Sequence, residues 1–199
     1  MLAVMAKVVG DISVSLDGFV AGPEPDLANG LGRGGEALHT WVLGGDPVDA
    51  EVLADTTDAT GAVIMGRRLF DIVDGPHGWS PTMGYGAHHA AAPPVLVVTR
   101  VPPATVRLGE RFTFVVDGVG SAVAKAVAVA DDRDVVVMGG AAVIRGCLEA
   151  GLLDELRLHL APVVLGAGTP LWSGNAPRQL RQVHVRVSGH ATHLTYRVD

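Results

Sequence analysis

Ala62-Val-Ile-Met65 runs without a break into Gly66-Arg67-Arg68-Leu-Phe70. Four apolar residues closed by glycine have the length and composition of a strand buried on both faces. The continuation reads as a helix that opens at once and runs to about Val73. The same arrangement returns at Asp134 to Met138, a continuous apolar strand, followed by Gly139-Gly140 and a helix to about Ala150. Strand, glycine turn and helix, twice over, is the building unit of an α/β domain with a parallel sheet.

Outward from these two units the pattern holds. Lys7 to Leu16 alternates and is β-branched, as a strand requires, and the glycine- and proline-rich run from Asp17 to Gly35 reads as a long loop placed as a lid. Asp46-Pro47-Val48-Asp49 supplies an N-cap, a proline at the first helical position and an acid in the first turn, so a helix is predicted to about Asp58. Asp74 to Pro94 is irregular and carries Trp79, Tyr85, His77, His88 and His89. Strands follow at Val95 to Thr99 and Phe112 to Val116, then an Ala/Val-rich helix at Gly120 to Ala130. Leu156 to Val164, Gln182 to Ser188 and His190 to Val198 read as strands, the last two joined by a tight turn at Ser188-Gly189. The expectation is one domain over residues 1–199: a three-layer α/β/α fold whose mixed central sheet is mostly parallel early and antiparallel in its C-terminal strands.

Composition narrows the function classes. Of 199 residues 48% are apolar and 18% charged, which excludes a disordered chain, and the net charge of −6 opposes non-specific binding to nucleic acid or an anionic membrane. The single cysteine, Cys147, excludes an internal disulfide, and its apolar surroundings favour a small buried hydrophobe over a nucleophile. The N-terminus lacks a basic signal-peptide region, and no apolar run approaches the roughly 18 residues of a membrane span. A cytoplasmic protein is expected.

Both strand-to-helix junctions expose free N–H groups at the positive end of a helix dipole, a natural seat for phosphate. Arg67 and Arg68 add charge at one junction, and Arg100 adds it just past the strand ending at Thr99. Neither junction carries the GxGxxG fingerprint and no Walker motif occurs, which disfavours the usual dinucleotide fold and an ATPase. Two acids stand near strand ends. Asp49 suits a capping box and Asp17 an Asp-Gly turn, yet either reaches a cleft as a proton donor if burial raises its pKa. Trp79 and Tyr85 suit the walls of a substrate pocket. No metal site is expected: His88 and His89 are adjacent and share no face, and a spacing of three sends His190 and His193 to opposite faces of a strand.

Five segments in order, Ser15-Leu-Asp-Gly-Phe-Val-Ala-Gly22, Val63-Ile-Met-Gly-Arg-Arg-Leu-Phe70, Met138-Gly-Gly-Ala141, Gly151-Leu-Leu-Asp-Glu-Leu-Arg-Leu158 and Pro162-Val-Val-Leu-Gly-Ala-Gly168, resemble the dihydrofolate reductase-like superfamily. More closely they resemble its branch holding the reductase domain of riboflavin biosynthesis enzymes. The resemblance implies NADPH, with its pyrophosphate near Gly66, Arg67, Arg68, Gly139, Gly140 and Ala141. It implies an adenosine 2′-phosphate at Thr99 and Arg100, and a nicotinamide along Val20, Ala21 and Gly22. The order Trp41, Pro47-Val-Asp49, Val63-Ile-Met-Gly-Arg67 is similar to dihydrofolate reductases themselves, which makes Trp41 a pocket residue and Asp49 the substrate acid, with Asp17 competing. The zinc deaminase signature of the bifunctional riboflavin enzymes is missing. The implied activity is hydride transfer from NADPH to a small heterocyclic, imine or carbonyl substrate, in a homodimer joined through apolar strand surfaces. A true dihydrofolate reductase and a non-catalytic nucleotide-binding module are the alternatives.

Overall fold

The computed structural model describes residues 6–89, 92–174 and 176–199. Among the described residues, ten strands and five α-helices follow one another as β1 (Val8–Ser15), β2 (Phe19–Ala21), α1 (Thr40–Leu43), α2 (Pro47–Ala59), β3 (Thr60–Gly66), α3 (Arg67–Val73), β4 (Val95–Val98), β5 (Phe112–Val115), α4 (Val119–Val129), β6 (Asp134–Gly139), α5 (Ala141–Glu149), β7 (Glu155–Ala161), β8 (Thr169–Pro170), β9 (Leu180–Val187) and β10 (Thr192–Val198). Eight strands form one sheet in the order β5-β4-β3-β6-β1-β7-β10-β9, while β2 and β8 pair separately. From β5 to β7 all neighbours run parallel, and β7-β10 and β10-β9 run antiparallel. The mixed, mostly parallel α/β sheet with antiparallel late strands is the one expected.

Local chemistry accounts for the boundaries. Asp46 accepts a hydrogen bond from Val48 N (2.9 Å) and Pro47 opens α2. A side-chain cap of this kind is worth about 1 kcal/mol. The segment expected as a free lid holds a strand instead: β2 docks on β8, and Leu171 N donates to Gly18 O (2.8 Å).

Alternation along the strands gives the sheet two unlike faces. One is dry. Val8, Ile12, Ala62, Ile64, Val135, Val137 and Leu156 pack there against Ala122, Ala126, Ile144 and Cys147 of α4 and α5. The other face changes character along the sheet. Over β3 to β5, Val63, Met65, Val95, Val97 and Phe112 pack against Phe70 and Val73 of α3. Over β1, β7 and β10, beneath α2, the inward positions are polar: Asp11, Ser13, Arg157, His159 and His193, of which Ser13, His159 and His193 are buried.

Close approach has one clear test in the core. A Cβ on Gly61 would run into the Ala130 carbonyl at the end of α4. Backbone cannot give way as a side-chain tip does, so Gly61→Ala should destabilise by about 1–3 kcal/mol. The check is urea unfolding, with a lower midpoint and an unchanged slope.

Candidate functional site

Parallel pairing sets Met65 of β3 beside Gly139 of β6, so the two glycine junctions adjoin. A Cβ on Gly66 would lie 3.6 Å from Gly140 N and 3.0 Å from Val143 Cγ2. Gly139 has φ +132°, a conformation for glycine, and a Cβ on Gly140 would meet nothing within 4 Å. That leaves open space in front of the first N–H groups of α5, the geometry in which a helix N-terminus receives an anion. Arg67 donates to Val101 O (2.6 Å) and pairs with Asp71 (2.7 Å), which brings the loop after β4 alongside. In that loop Thr99 Oγ1 donates to Val101 O (2.9 Å), and Arg100 is exposed. Arg68 donates to Pro25 O (3.1 Å) and ties α3 to the loop after β2. Gly66, Arg67, Thr99, Arg100, Gly139, Gly140 and Ala141 therefore converge on one end of the sheet, at the carboxyl ends of β3, β4 and β6.

Val20 packs with Val14, Ala141 and Leu171, so β2 reaches the α5 junction. Ala21 is paired with Thr169 of β8. Gly22 serves the loop itself: its N–H donates to Leu31 O (2.7 Å), and a Cβ there would strike the Arg33 carbonyl. Asp17 is an anchor in the same region. It accepts from Ser15 Oγ (2.6 Å), Leu165 N (3.1 Å) and Gly166 N (2.7 Å). The Ser15 hydroxyl first, and the two amides after it, hold its carboxyl down to about 2. A group so acidic is ionised at neutral pH, which fits a fastener between β1 and the 163–168 loop and not a proton donor.

The polar side of the sheet carries a continuous chain of ionisable groups. Asp11 Oδ1 lies 3.1 Å from His159 Nε2, His159 Nδ1 lies 2.7 Å from His193 Nδ1, and His193 Nε2 lies 2.8 Å from Asp49 Oδ1. Asp49 Oδ2 is 3.1 Å from His190 Nδ1. Trp41 covers the chain: its ring lies 4.2 Å from His159, and its N–H donates to Ser13 Oγ (2.9 Å). Burial opposes the charge of Asp49, but hydrogen bonds from Ser188, His193 and His190 outweigh it and hold the carboxyl below its ordinary value. Burial also opposes the charge of Asp11, and the charge and hydrogen bond of His159 overcome it. His193 is held low chiefly by burial, against the pull of Asp49.

This chain revises two sequence expectations and adds a residue that none of them named. Asp49 does not reach back in a capping box, because Asp46 caps α2 and both Asp49 oxygens are taken by histidines. His190 and His193 do not point apart, since His190 lies in the turn before β10 begins and strand alternation does not govern it. His159 drew no attention as one residue in an apolar strand, although its place on the same face as Asp11 follows from the pairing of β1 with β7.

Trp41 and Asp49 line a cavity of about 210 Å³ along the flank of α2, together with Asp46, Leu53, Thr57 and His88. Trp79 and Tyr85, expected in the pocket wall, lie elsewhere. Tyr85 Oη is 2.9 Å from Thr60 Oγ1, at the start of β3, and Trp79 stacks on Phe112, at the start of β5. Both belong to the aromatic core at the opposite end of the strands, with Arg111 over the Trp79 ring at 4.8 Å. His88 and His89, adjacent in sequence, nevertheless both turn Nε2 toward Asp58 Oδ1, at 3.9 and 3.5 Å. The turn that carries them curls enough to bring neighbouring rings to one partner, which the argument from a shared face missed.

The sequence model of the family described as RibD C-terminal domain matches residues 6–194. Uncharacterized protein YyaP of Bacillus subtilis (strain 168) is 42% identical over 55 residues, which are 27% of this chain and 29% of that protein. Among solved structures, a putative riboflavin biosynthesis protein from Shewanella sp. PV-4 superimposes with a TM-score of 0.70 at 19% identity, over 97% of this chain and 99% of that one. A pyrimidine reductase-like protein from Corynebacterium diphtheriae gives 0.64 at 14% identity, over 98% and 92%. A diaminohydroxyphosphoribosylaminopyrimidine deaminase/5-amino-6-(5-phosphoribosylamino)uracil reductase from Thermotoga maritima gives 0.62 at 14%, over 98% of this chain and 57% of that one. These likenesses bear out the dihydrofolate reductase-like fold.

Proposed function

As the chain belongs to the RibD C-terminal domain family, with 6–194 matched, we propose that it is an NADPH-dependent reductase of a small heterocyclic, imine or carbonyl substrate. The observation that carries this reading is the meeting of the two glycine junctions, with Gly140 facing open space and Arg67 reaching across to the loop of Thr99 and Arg100. The paired junctions suit a pyrophosphate, and Arg100, exposed beside Thr99, suits a 2′-phosphate. Bound there, NADPH would supply the hydride. Val20 and Ala21 would border the nicotinamide, and the cavity beside Trp41 and Asp49 would take the substrate. The residues fit the group, since backbone N–H and arginine are the donors that phosphate needs. The chain is read as one domain acting in the cytoplasm as a homodimer. Among the described residues no helix is long and apolar enough to cross a membrane.

A thermal-shift titration with NADPH and NADH in parallel tests this, because a ligand that binds only the folded state stabilises by RT ln(1 + [L]/Kd). An NADPH-selective rise in Tm is expected. Arg100→Ala should narrow the preference for NADPH over NADH roughly tenfold or more, the loss of one charge-assisted contact worth about 1.5–3 kcal/mol. No shift with either nucleotide would overturn the reading.

A further inference from the structure

The histidine chain has a proton count that its geometry dictates. Between Asp11 and Asp49 lie three contacts of 3.1, 2.7 and 2.8 Å, and each needs one proton between its two acceptors. Two neutral imidazoles carry only two. With one proton fewer, bare acceptors face each other at one of the three contacts. With one proton more, both rings are imidazolium and two N–H groups collide at the Nδ1–Nδ1 contact. The side chains of His159, His193 and Asp49 are 3%, 6% and 1% exposed, so either mismatch leaves nearly buried polar atoms facing one another, although His159 and His193 edge a cavity of about 940 Å³.

We propose that Asp11, His159, His193 and Asp49 form a proton store of fixed occupancy behind the pocket wall, holding one proton beyond two neutral imidazoles and exchanging it with solvent through His190. His190 is the outer member, 31% exposed at the β9–β10 turn and bonded to Asp49 Oδ2. The inner end is closed, because Asp11 Oδ2 is buried without a partner. Other charged or titratable groups facing the chain are Arg157 beside Asp11, His39 beside His159, and Tyr85 toward Asp11.

The store deepens the reductase reading and rests on it for one point only, that the cavity lined by Trp41 and Asp49 is the substrate's. Reduction of a C=N or C=O group takes a hydride to carbon from NADPH, which leaves as NADP⁺, and a proton to nitrogen or oxygen. The chain holds a proton in excess one contact behind the cavity wall. Because both Asp49 oxygens face histidines, its delivery to a substrate requires the His193–Asp49 or His190–Asp49 contact to open, after which solvent restores it through His190. His159 and His193 are positioning residues in this scheme, since neither lines that cavity among the described residues.

The test is nitrogen-15 NMR of the imidazoles in the full, ligand-free chain between about pH 5 and 8, the range in which histidine ordinarily titrates. Expected is a scalar coupling between His159 Nδ1 and His193 Nδ1 across one strongly deshielded proton, lost at both ends of the pH range. In His193→Gln, whose amide can still donate to Asp49, the coupling and the deshielded proton disappear. The pH dependence of Trp41 fluorescence, read as the difference from Trp41→Phe, flattens with them. Two unprotonated Nδ1 atoms, or two protonated ones, throughout that range in the wild type would overturn the proposal, and no variant need fold for that result. Because no nucleotide is present, a missing NADPH thermal shift sinks the reductase reading without touching this measurement.

Discussion

Gly140→Asp should abolish the NADPH-induced rise in Tm while leaving the free protein as stable as before. The position tolerates a side chain: its backbone is extended, with φ −74° and ψ −180°, and nothing stands within 4 Å of a Cβ. It is also the N-cap of α5, which has no side-chain cap, and aspartate is favoured there. The fold therefore gains a few tenths of a kcal/mol or nothing. A bound pyrophosphate, however, would meet a carboxylate where it requires N–H groups. At about 4 Å and an effective dielectric of 20 the repulsion is roughly 4 kcal/mol per pair of charges, equivalent to about a thousandfold in Kd. Gly140→Ala is the neutral control and should lose far less. Equal NADPH shifts in wild type and Gly140→Asp would move the cofactor away from this junction. Gly139→Asp answers the question less cleanly, because its φ of +132° adds backbone strain to any charge effect.

Asp49→Ala should cost about 3–5 kcal/mol, the range for removing one partner of a buried charged pair. For a chain near 200 residues each kcal/mol moves Tm by about 2–4 °C, so a fall of roughly 6–20 °C is expected in a melting scan. His193 and His190 both lose their acceptor in that variant, and His193 is too buried to find water. Asp49→Asn keeps one acceptor oxygen and should fall less. The deficit also depends on pH. Asp49, Asp11 and His193 all have folded values below their ordinary ones. Groups of that kind stabilise most above their unfolded values and lose the contribution as pH falls. The gap between wild type and Asp49→Ala should therefore be widest where histidine protonates, because Asp49 pulls His193 toward its charged form, and narrow below the ordinary carboxylate value of 3.8, where Asp49 loses its charge. A gap of constant size from neutral to acid pH would assign Asp49 a purely steric role.

The parts of this fold legible in sequence are those whose causes are local. Pro47 and Asp46 mark the start of α2, and Gly66 marks the strand-to-helix step into α3, within a residue of where the chain makes it. The meeting of strand and helix at Gly66 and at Gly139-Gly140 was legible for the same reason, since a glycine at a junction states its own geometry. β8 escaped notice because Thr169–Pro170 offers two residues and no alternation. The Asp–His chain escaped for a different reason: Asp11 meets His159 across 148 positions, and His193 meets Asp49 across 144. Only the sheet order brings them together. One signal was available. The inward positions of the first strand, Val9, Asp11, Ser13 and Ser15, turn polar while their alternates Val8, Ile12 and Val14 stay apolar. Polar residues along one face of a strand between two parallel neighbours have to be met by other polar groups. Trp79 and Tyr85 show the reverse error, for an aromatic in an irregular segment fills a core or lines a pocket equally well until its strand partner is known.

β1, made before every other strand of this sheet, lies at its middle. Val8 is held by Val135 of β6, and Val9 by Val136 of β6 and Glu155 of β7, so β1 emerges with none of its neighbours yet made. At about 5–20 residues per second, on the order of ten seconds pass before β6 is translated. During that interval Val8, Val9, Ile12 and Val14 have no partner of their own, and β3, β4 and β5 can assemble only an incomplete half-sheet with β6's place vacant. Synthesis rate and chaperone supply thus bear on this chain more heavily than on one whose central strand is made late, and truncation before β7 should leave a nascent product that aggregates instead of a smaller folded one.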